Sequence, residues 1–149
     1  MAQLIRTTSE NPDFQKLVVE LDHDLAVRDG EEHSFYAQFN KISGLQHVIV
    51  AYDGNVAVGC GAFKPLSDEI AEIKRMYVLP EHRGQGLAGK ILSALESWAQ
   101  ESGFECCRLE TGKKQPEAIA LYRKSLYAII PNYGQYEGVA NSVCFEKKL

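Results

Sequence analysis

The segment Arg83-Gly84-Gln85-Gly86-Leu87-Ala88-Gly89-Lys90 constrains this chain more than any other stretch. It joins a β-rich run to an amphipathic one and carries three glycines in six residues. Glycine reaches left-handed backbone and lets other atoms approach closely. A loop of this kind at the start of a helix presents backbone N–H groups at the positive end of the helix dipole, which makes a cradle for an anion. The plain alternative is a helix cap beside a surface arginine.

The flanking sequence places the loop. Leu4-Ile5-Arg6 reads as a first strand, and Asn11-Pro12 as the N-cap and first residue of a helix whose Phe14, Leu17, Val18, Leu21 and Leu25 recur at helical spacing up to Gly30. Glu31 to Tyr36 is expected to start a second short helix. Gln46–Tyr52 and Val56–Phe63 are β-rich runs on either side of Asp53-Gly54-Asn55, a hairpin signal. Glu69–Leu79 is the next strand, ended by Pro80. Leu87, Ile91, Leu92, Leu95 and Ala99, with Ala88 and Trp98, form one helical stripe that stops around Gly103. Glu105–Thr111 reads as a strand and Pro116–Lys124 as a helix with Ala118, Leu121 and Tyr122 inward. Tyr127–Ile130 and Ser142–Glu146 are late strands. Hairpins come first and helices alternate with strands later. The pattern predicts a mixed sheet, antiparallel early, with a parallel crossover after residue 79.

Composition sets the class. The chain has 149 residues, 45% of them hydrophobic, and no repeat or linker, so residues 1–149 are expected to form one domain. A net charge of −4 without a basic stripe argues against nucleic acid. No apolar run approaches the ~18 residues of a membrane span, and the N-terminus lacks a basic and apolar leader, so the expected location is the cytoplasm. Cys60, Cys106, Cys107 and Cys144 show no C-x-x-C pair and read as reduced core thiols. His23, His33, His47 and His82 lack metal-ligand spacing, and no metal is assigned.

Three phosphate-binding patterns compete for the loop. Gly84-x-Gly86-x-x-Gly89 matches the dinucleotide fingerprint letter for letter, but that fingerprint starts as its strand ends and usually opens its domain. Here Pro80-Glu81-His82-Arg83 intervene, and several strands come earlier. Gly84-x4-Gly89-Lys90 resembles a nucleotide P-loop with Ile91 where a Mg²⁺-binding hydroxyl belongs. Arg83-x-x-Gly86-x-Ala88 resembles the pyrophosphate loop of the GNAT superfamily of acyl-CoA-dependent N-acetyltransferases, and the whole stretch Glu72 to Gly86 resembles that family's fourth strand, proline-containing loop and third helix in order. Gln115 to Tyr127 resembles a second block of the same family. Ala118 and Tyr122 match there, while Gln115, Leu126 and Tyr127 replace its asparagine, glycine and phenylalanine.

The resemblance implies an α/β fold with a mixed twisted sheet of six to seven strands and about four helices. It also implies acetyl transfer from acetyl-CoA to an amine by direct attack. Backbone N–H groups from Gln85 to Gly89, through Gly86, Leu87 and Ala88, would take the pyrophosphate, helped by Gly84 and Arg83. Pantetheine would run beside Met76, Tyr77 and Val78, with the Val78 N–H facing the thioester oxygen. Gln115 would keep an amide contact to the cofactor. Tyr122 would protonate the leaving thiolate, although it also lies on an inward stripe where an aromatic is ordinary core. Glu72, eleven residues before Arg83, stands at the offset of a general base, or pairs with Lys74 or Lys64 on a solvated sheet face. Arg28, Tyr36, Glu110 and Tyr136 are the acceptor-side candidates, each with a surface or packing alternative. The expected acceptor is the primary amine of a small metabolite or amino-acid-like compound. A protein N-terminus or lysine, or a non-catalytic acyl-CoA sensor, stays open beside it. A homodimer through late strands is implied by analogy alone.

Overall fold

The computed structural model describes residues 2–30 and 43–149 of the chain. The first helix, α1 (Pro12–Asp29), begins as its sequence dictates. The Asn11 side-chain oxygen accepts hydrogen bonds from the N–H groups of Asp13 and Phe14 at 2.8 and 3.2 Å, and Pro12 occupies the first turn, where no intrahelical donor is needed. Phe14, Leu17, Val18 and Leu21 are buried, and Gly30 ends the helix at a φ of 56°. The short helix expected from Glu31 to Tyr36 lies outside the described residues.

Among the described residues seven strands form one sheet: β1 (Gln3–Thr7), β2 (His47–Asp53), β3 (Val56–Pro65), β4 (Ile70–Val78), β5 (Cys106–Gly112), β6 (Ala128–Ile130) and β7 (Ser142–Lys148). Their order is β1-β2-β3-β4-β5-β7-β6. The β2–β3 hairpin closes on the pair Asp53 and Val56, with Gly54 at a φ of 61°. Among the described residues β4 and β5 are the parallel pair, and the crossover between them is helix α2 (Leu87–Glu101). The third helix is α3 (Pro116–Lys124). The mixed sheet and its crossover are those expected from sequence.

Period-2 alternation sorts the strands between two cores. Ile49, Phe63, Ile73, Leu109 and Phe145 pack under Ile91, Leu92 and Leu95 of α2 and Tyr122 of α3. Val48, Val50, Ala62 and Tyr77 point to the other face, beneath Phe14, Leu17 and Leu21 of α1. Glycines let α2 sit close to β3: a Cβ on Gly61 would lie 2.5 Å from Met76 Sδ and 2.9 Å from Leu95 Cδ1. The adjacent thiols split as a strand requires, with Cys107 buried and Cys106 half-buried.

Two departures from regularity interrupt this pattern. β4 pairs with β5 only over Ile70–Glu72 against Cys106–Arg108 among the described residues. Beyond that point β4 is bulged. Its register against β3 shifts between Cys60 and Ala62, and Arg75 takes a φ of 59°. A bulge bends its strand, and here β4 and β5 part. The second departure is Leu126, which holds a φ of 73° at the turn after α3, while Tyr127 N–H bonds the Tyr122 carbonyl at 3.0 Å. The leucine therefore holds left-handed backbone, which favours glycine, and the turn forms with its side chain out in solvent.

Candidate active site

The parting of β4 and β5 opens a cleft of ≈ 370 Å³ that α1, β4, β5, α3 and the loop before α2 line together. Because it lies where two strands of one sheet separate, it meets side chains from both faces of that sheet.

One end is built from main chain. Gly84 and Gly86 adopt φ values of 80° and 77°, and Gly86 precedes α2 with no side chain capping the helix. The first intrahelical bond runs from Lys90 N–H to the Gly86 carbonyl at 3.2 Å, so the N–H groups of Leu87, Ala88 and Gly89 have no partner within the helix. A Cβ on Gly89 would meet nothing within 4 Å, so packing does not explain that glycine. Gly84, Gly86, Leu87, Ala88 and Gly89 line the cleft, and Gln85 does not. The Arg83 Nε donates to the Val78 carbonyl at 2.8 Å, and its guanidinium lies 5.5 Å over the Tyr77 ring. Arg83 thus clamps the end of β4. Leu79 N–H bonds the Val58 carbonyl at 2.9 Å, which by strand alternation turns the N–H of Val78 away from β3 and into the gap. Met76, Tyr77 and Val78 all line the cleft, as does Gln115 at the N-terminus of α3.

The other end is built from side chains. On β5, Leu109 belongs to the core under α2, so Glu110 faces the α1 side. Burial pushes the Glu110 carboxyl up to about 7, against the opposing pull of the Ser142 hydroxyl, which donates to Oε2 at 2.7 Å, and of Lys74. Asp29 and Glu72 add to the upward shift. Tyr136 is buried with its hydroxyl 3.4 Å from Lys74 Nζ. Tyr122 reaches the cleft from α3, packed against Tyr127 and Phe145 at ring distances of 5.8 Å. Its hydroxyl is raised above the usual phenol value, first by burial and then by the nearby Glu110 carboxylate, and so stays protonated at neutral pH. Tyr122 is both a core aromatic and a cleft group.

Other candidates sit elsewhere. Glu72 is buried, not on a solvated face, and is not among the residues lining the cleft. It accepts from the Tyr133 hydroxyl at 2.6 Å and pairs with Lys74 at 3.4 Å and Lys64 at 3.9 Å. Arg28 bridges Asp24 and Glu117, tying α1 to α3 at the cleft rim without lining it. Tyr36 lies outside the described residues. Among the described residues no group of His, Cys, Asp and Glu could hold a metal ion.

Sequence reading missed Asp29, Arg75 and Ser142. Asp29 carried a signal, since an acid in the last turn of a helix opposes the dipole there, and it is buried. Arg75 carried another: Lys74-Arg75 breaks the alternation of β4, as a bulge does. Ser142 has no local signal, because it meets Glu110 only through β5–β7 pairing.

Comparison with known proteins agrees with this geometry. The chain is 32% identical over 151 residues to the IAA acetyltransferase of Azospirillum brasilense, covering 96% of this chain and 97% of that one. A solved Klebsiella pneumoniae structure, assigned as an acyl-CoA N-acyltransferase, superposes with a TM-score of 0.84 at 30% identity over 100% of this chain and 98% of the other. A GNAT family acetyltransferase from Elizabethkingia anophelis, solved with acetyl-CoA bound, shares the fold at a TM-score of 0.69 and 18% identity, covering 99% of this chain and 98% of that one. The model of the Acetyltransferase (GNAT) family matches residues 10–126. The chain therefore belongs to the GNAT family of acetyltransferases.

Proposed function

We propose that the protein moves the acetyl group of acetyl-CoA onto the primary amine of a small metabolite or amino-acid-like compound. The observation that carries this reading is the position of the cleft at the parting of two strands, with Tyr122 approaching from the α2–α3 face and Glu110 from the α1 face. A nucleophile and a leaving group attached to one carbonyl need proton transfer on opposite sides, and the two residues stand on opposite faces of the sheet.

Acetyl-CoA supplies an acetyl group activated as a thioester. The N–H groups at the start of α2 suit its pyrophosphate, with the left-handed glycines 84 and 86 keeping that cradle open. Arg83 fixes the end of β4, which presents the Val78 N–H as donor to the carbonyl oxygen. Met76 and Tyr77 flank the pantetheine arm, and Gln115 gives it an amide contact from α3. Glu110 removes the proton of the acceptor ammonium, since a carboxyl near 7 is matched to proton transfer at neutral pH. Tyr122 gives its hydroxyl proton to the departing sulfur. Glu72 acts behind these groups, holding Lys74 and Tyr133. Tyr136 lines the acceptor end, and Arg28 closes its rim. The reading extends to a cytoplasmic protein and to a homodimer through the late strands, where β6 leaves Ile129 exposed.

Isothermal titration with acetyl-CoA, CoA, ATP and NAD tests it. Binding of acetyl-CoA and CoA, with ATP and NAD silent, is the expected result. Absence of acetyl-CoA binding overturns it.

A further inference from the structure

Arg75 is the residue of β4 least suited to its place. It is one of two non-glycine residues among those described with positive φ, at 59°, a conformation that strains any residue bearing a Cβ. Its side chain is 2% exposed. A guanidinium carries five donors, and burying it is costly unless those donors are satisfied. Here the Nη2 meets Asp22 Oδ1 of α1 at 2.5 Å, while the Nε is buried with no hydrogen-bond partner. Asp22 is itself 49% exposed and well solvated without the arginine. Pinning α1 to the sheet does not require a charge, because Phe14, Leu17 and Leu21 already bury that face.

Arg75 lines the same cleft as Glu110. Two other cations near that end have carboxylate partners: Lys74 meets Glu72, and Arg28 meets Asp24 and Glu117. Among the described residues of the cleft, Arg75 and His82 each combine a carboxylate partner with a buried unpaired ring or guanidinium nitrogen, and of the two only Arg75 carries a permanent charge. Glu110 supplies the complementary charge for an ammonium.

Resting on the acetyl-transfer reading, we propose that the acceptor is an amine that also carries a carboxylate, its ammonium at Glu110 and its carboxylate at the Arg75 guanidinium. The acceptor class is then amino acids and their close analogues. Neutral amines and diamines are excluded from preferred use.

The test measures free CoA release with acetyl-CoA and the twenty L-amino acids, each beside its carboxamide, and with putrescine. Wild-type protein is expected to show a KM about tenfold or more lower for the acid than for the amide of its best acceptor, the effect of one charged hydrogen bond. Arg75→Gln is expected to collapse that ratio toward one, and Arg75→Lys to lower it. Asp22→Asn, which removes the competing carboxylate, is expected to raise it. A purely structural arginine leaves the ratio unmoved in all three. Equal KM values for acid and amide in wild type, a ratio unchanged by Arg75→Gln, or a preference for putrescine overturns the proposal. So does failure to acetylate any acid or amide by a protein that binds acetyl-CoA, a result that leaves the cofactor site standing. A protein that does not bind acetyl-CoA overturns the transfer reading itself. If Arg75→Gln fails to fold, the wild-type ratio and Asp22→Asn decide alone.

Discussion

One end of the cleft is made of main chain, and the other of side chains. At the first, Gly84, Gly86 and the opening turn of α2 are contiguous in sequence, and their geometry follows from which residues tolerate left-handed backbone. At the second, Glu110, Ser142, Tyr136, Arg75 and Asp29 come from β5, β7, the turn before β7, β4 and α1. The difference separates two kinds of specificity. A cofactor shared by many enzymes is held by groups that every chain has, so a short motif suffices. An acceptor is recognised by groups that only folding brings together.

The sharpest way to break the comparison is Gly86→Glu. It places a side chain at a φ of 77°, at a cost of ~1–2 kcal/mol, and puts a negative charge at the mouth of the cradle. Acetyl-CoA binding by calorimetry is expected to vanish in a variant that keeps its fold by circular dichroism. Unchanged affinity removes the loop from the cofactor site.

Glu110→Gln strikes the other end. Turnover is expected to fall roughly 10²- to 10⁴-fold with acetyl-CoA affinity retained. In wild type the activity is expected to rise with pH through about 7 as Glu110 ionises, and this limb disappears in the variant. Lys74 and Glu72 of β4, Asp29 of α1 and Ser142 of β7 face the same carboxyl and set that value. The stability effect has the opposite sign. Because the folded value lies above the ordinary 4.5, the folded state holds more protons between those limits, and stability falls as pH rises from 4.5 to 7. The glutamine variant escapes this loss and is expected to melt higher than wild type at pH 8. A lower melting temperature there argues that the carboxylate is structural.

Tyr122→Phe tests the boundary between the two ends, and its expected effect is the smallest. The ring still packs against Tyr127 and Phe145, so the fold and acetyl-CoA affinity hold while turnover drops about 10²-fold. Weakened binding with unchanged turnover assigns Tyr122 to the cofactor pocket alone.

These residues also show how far sequence reaches. The strands, the Asn11 cap, the hairpin at Gly54 and the crossover through α2 were legible because each depends on local periodicity or on one residue's backbone preference. The helix of the second block was legible, with Tyr122 inward, while the turn after it was not, because Leu126 stands where a glycine would take left-handed backbone and takes it nonetheless. Glu72 was legible in part: its pairing with Lys74 and Lys64 was expected, and its burial was not. Its spacing suggested a base or a solvated pair, but alternation of β4 placed it beneath Tyr133, whose position depends on a segment some sixty residues later in the chain. Glu110 was named only as one acceptor-side candidate, since nothing near it in sequence reveals that Ser142 and Asp29 close around it. Residues that act through partners distant in sequence become readable only when the sheet order is known.

The parted strands have a further consequence, for self-association. Every sheet has two outer edges where unpaired backbone invites another chain, and here β1 and β6 occupy them. This sheet has a third edge in its middle, the stretch of β4 from Ile73 to Val78, which pairs with β3 on one side only among the described residues. An inner edge flanked by α1 and α3 is too recessed for a neighbouring molecule's strand to dock along it. A thin flexible chain can enter where a folded strand cannot. The recess that makes the cleft thus keeps the unpaired backbone of β4 from becoming a seed for aggregation.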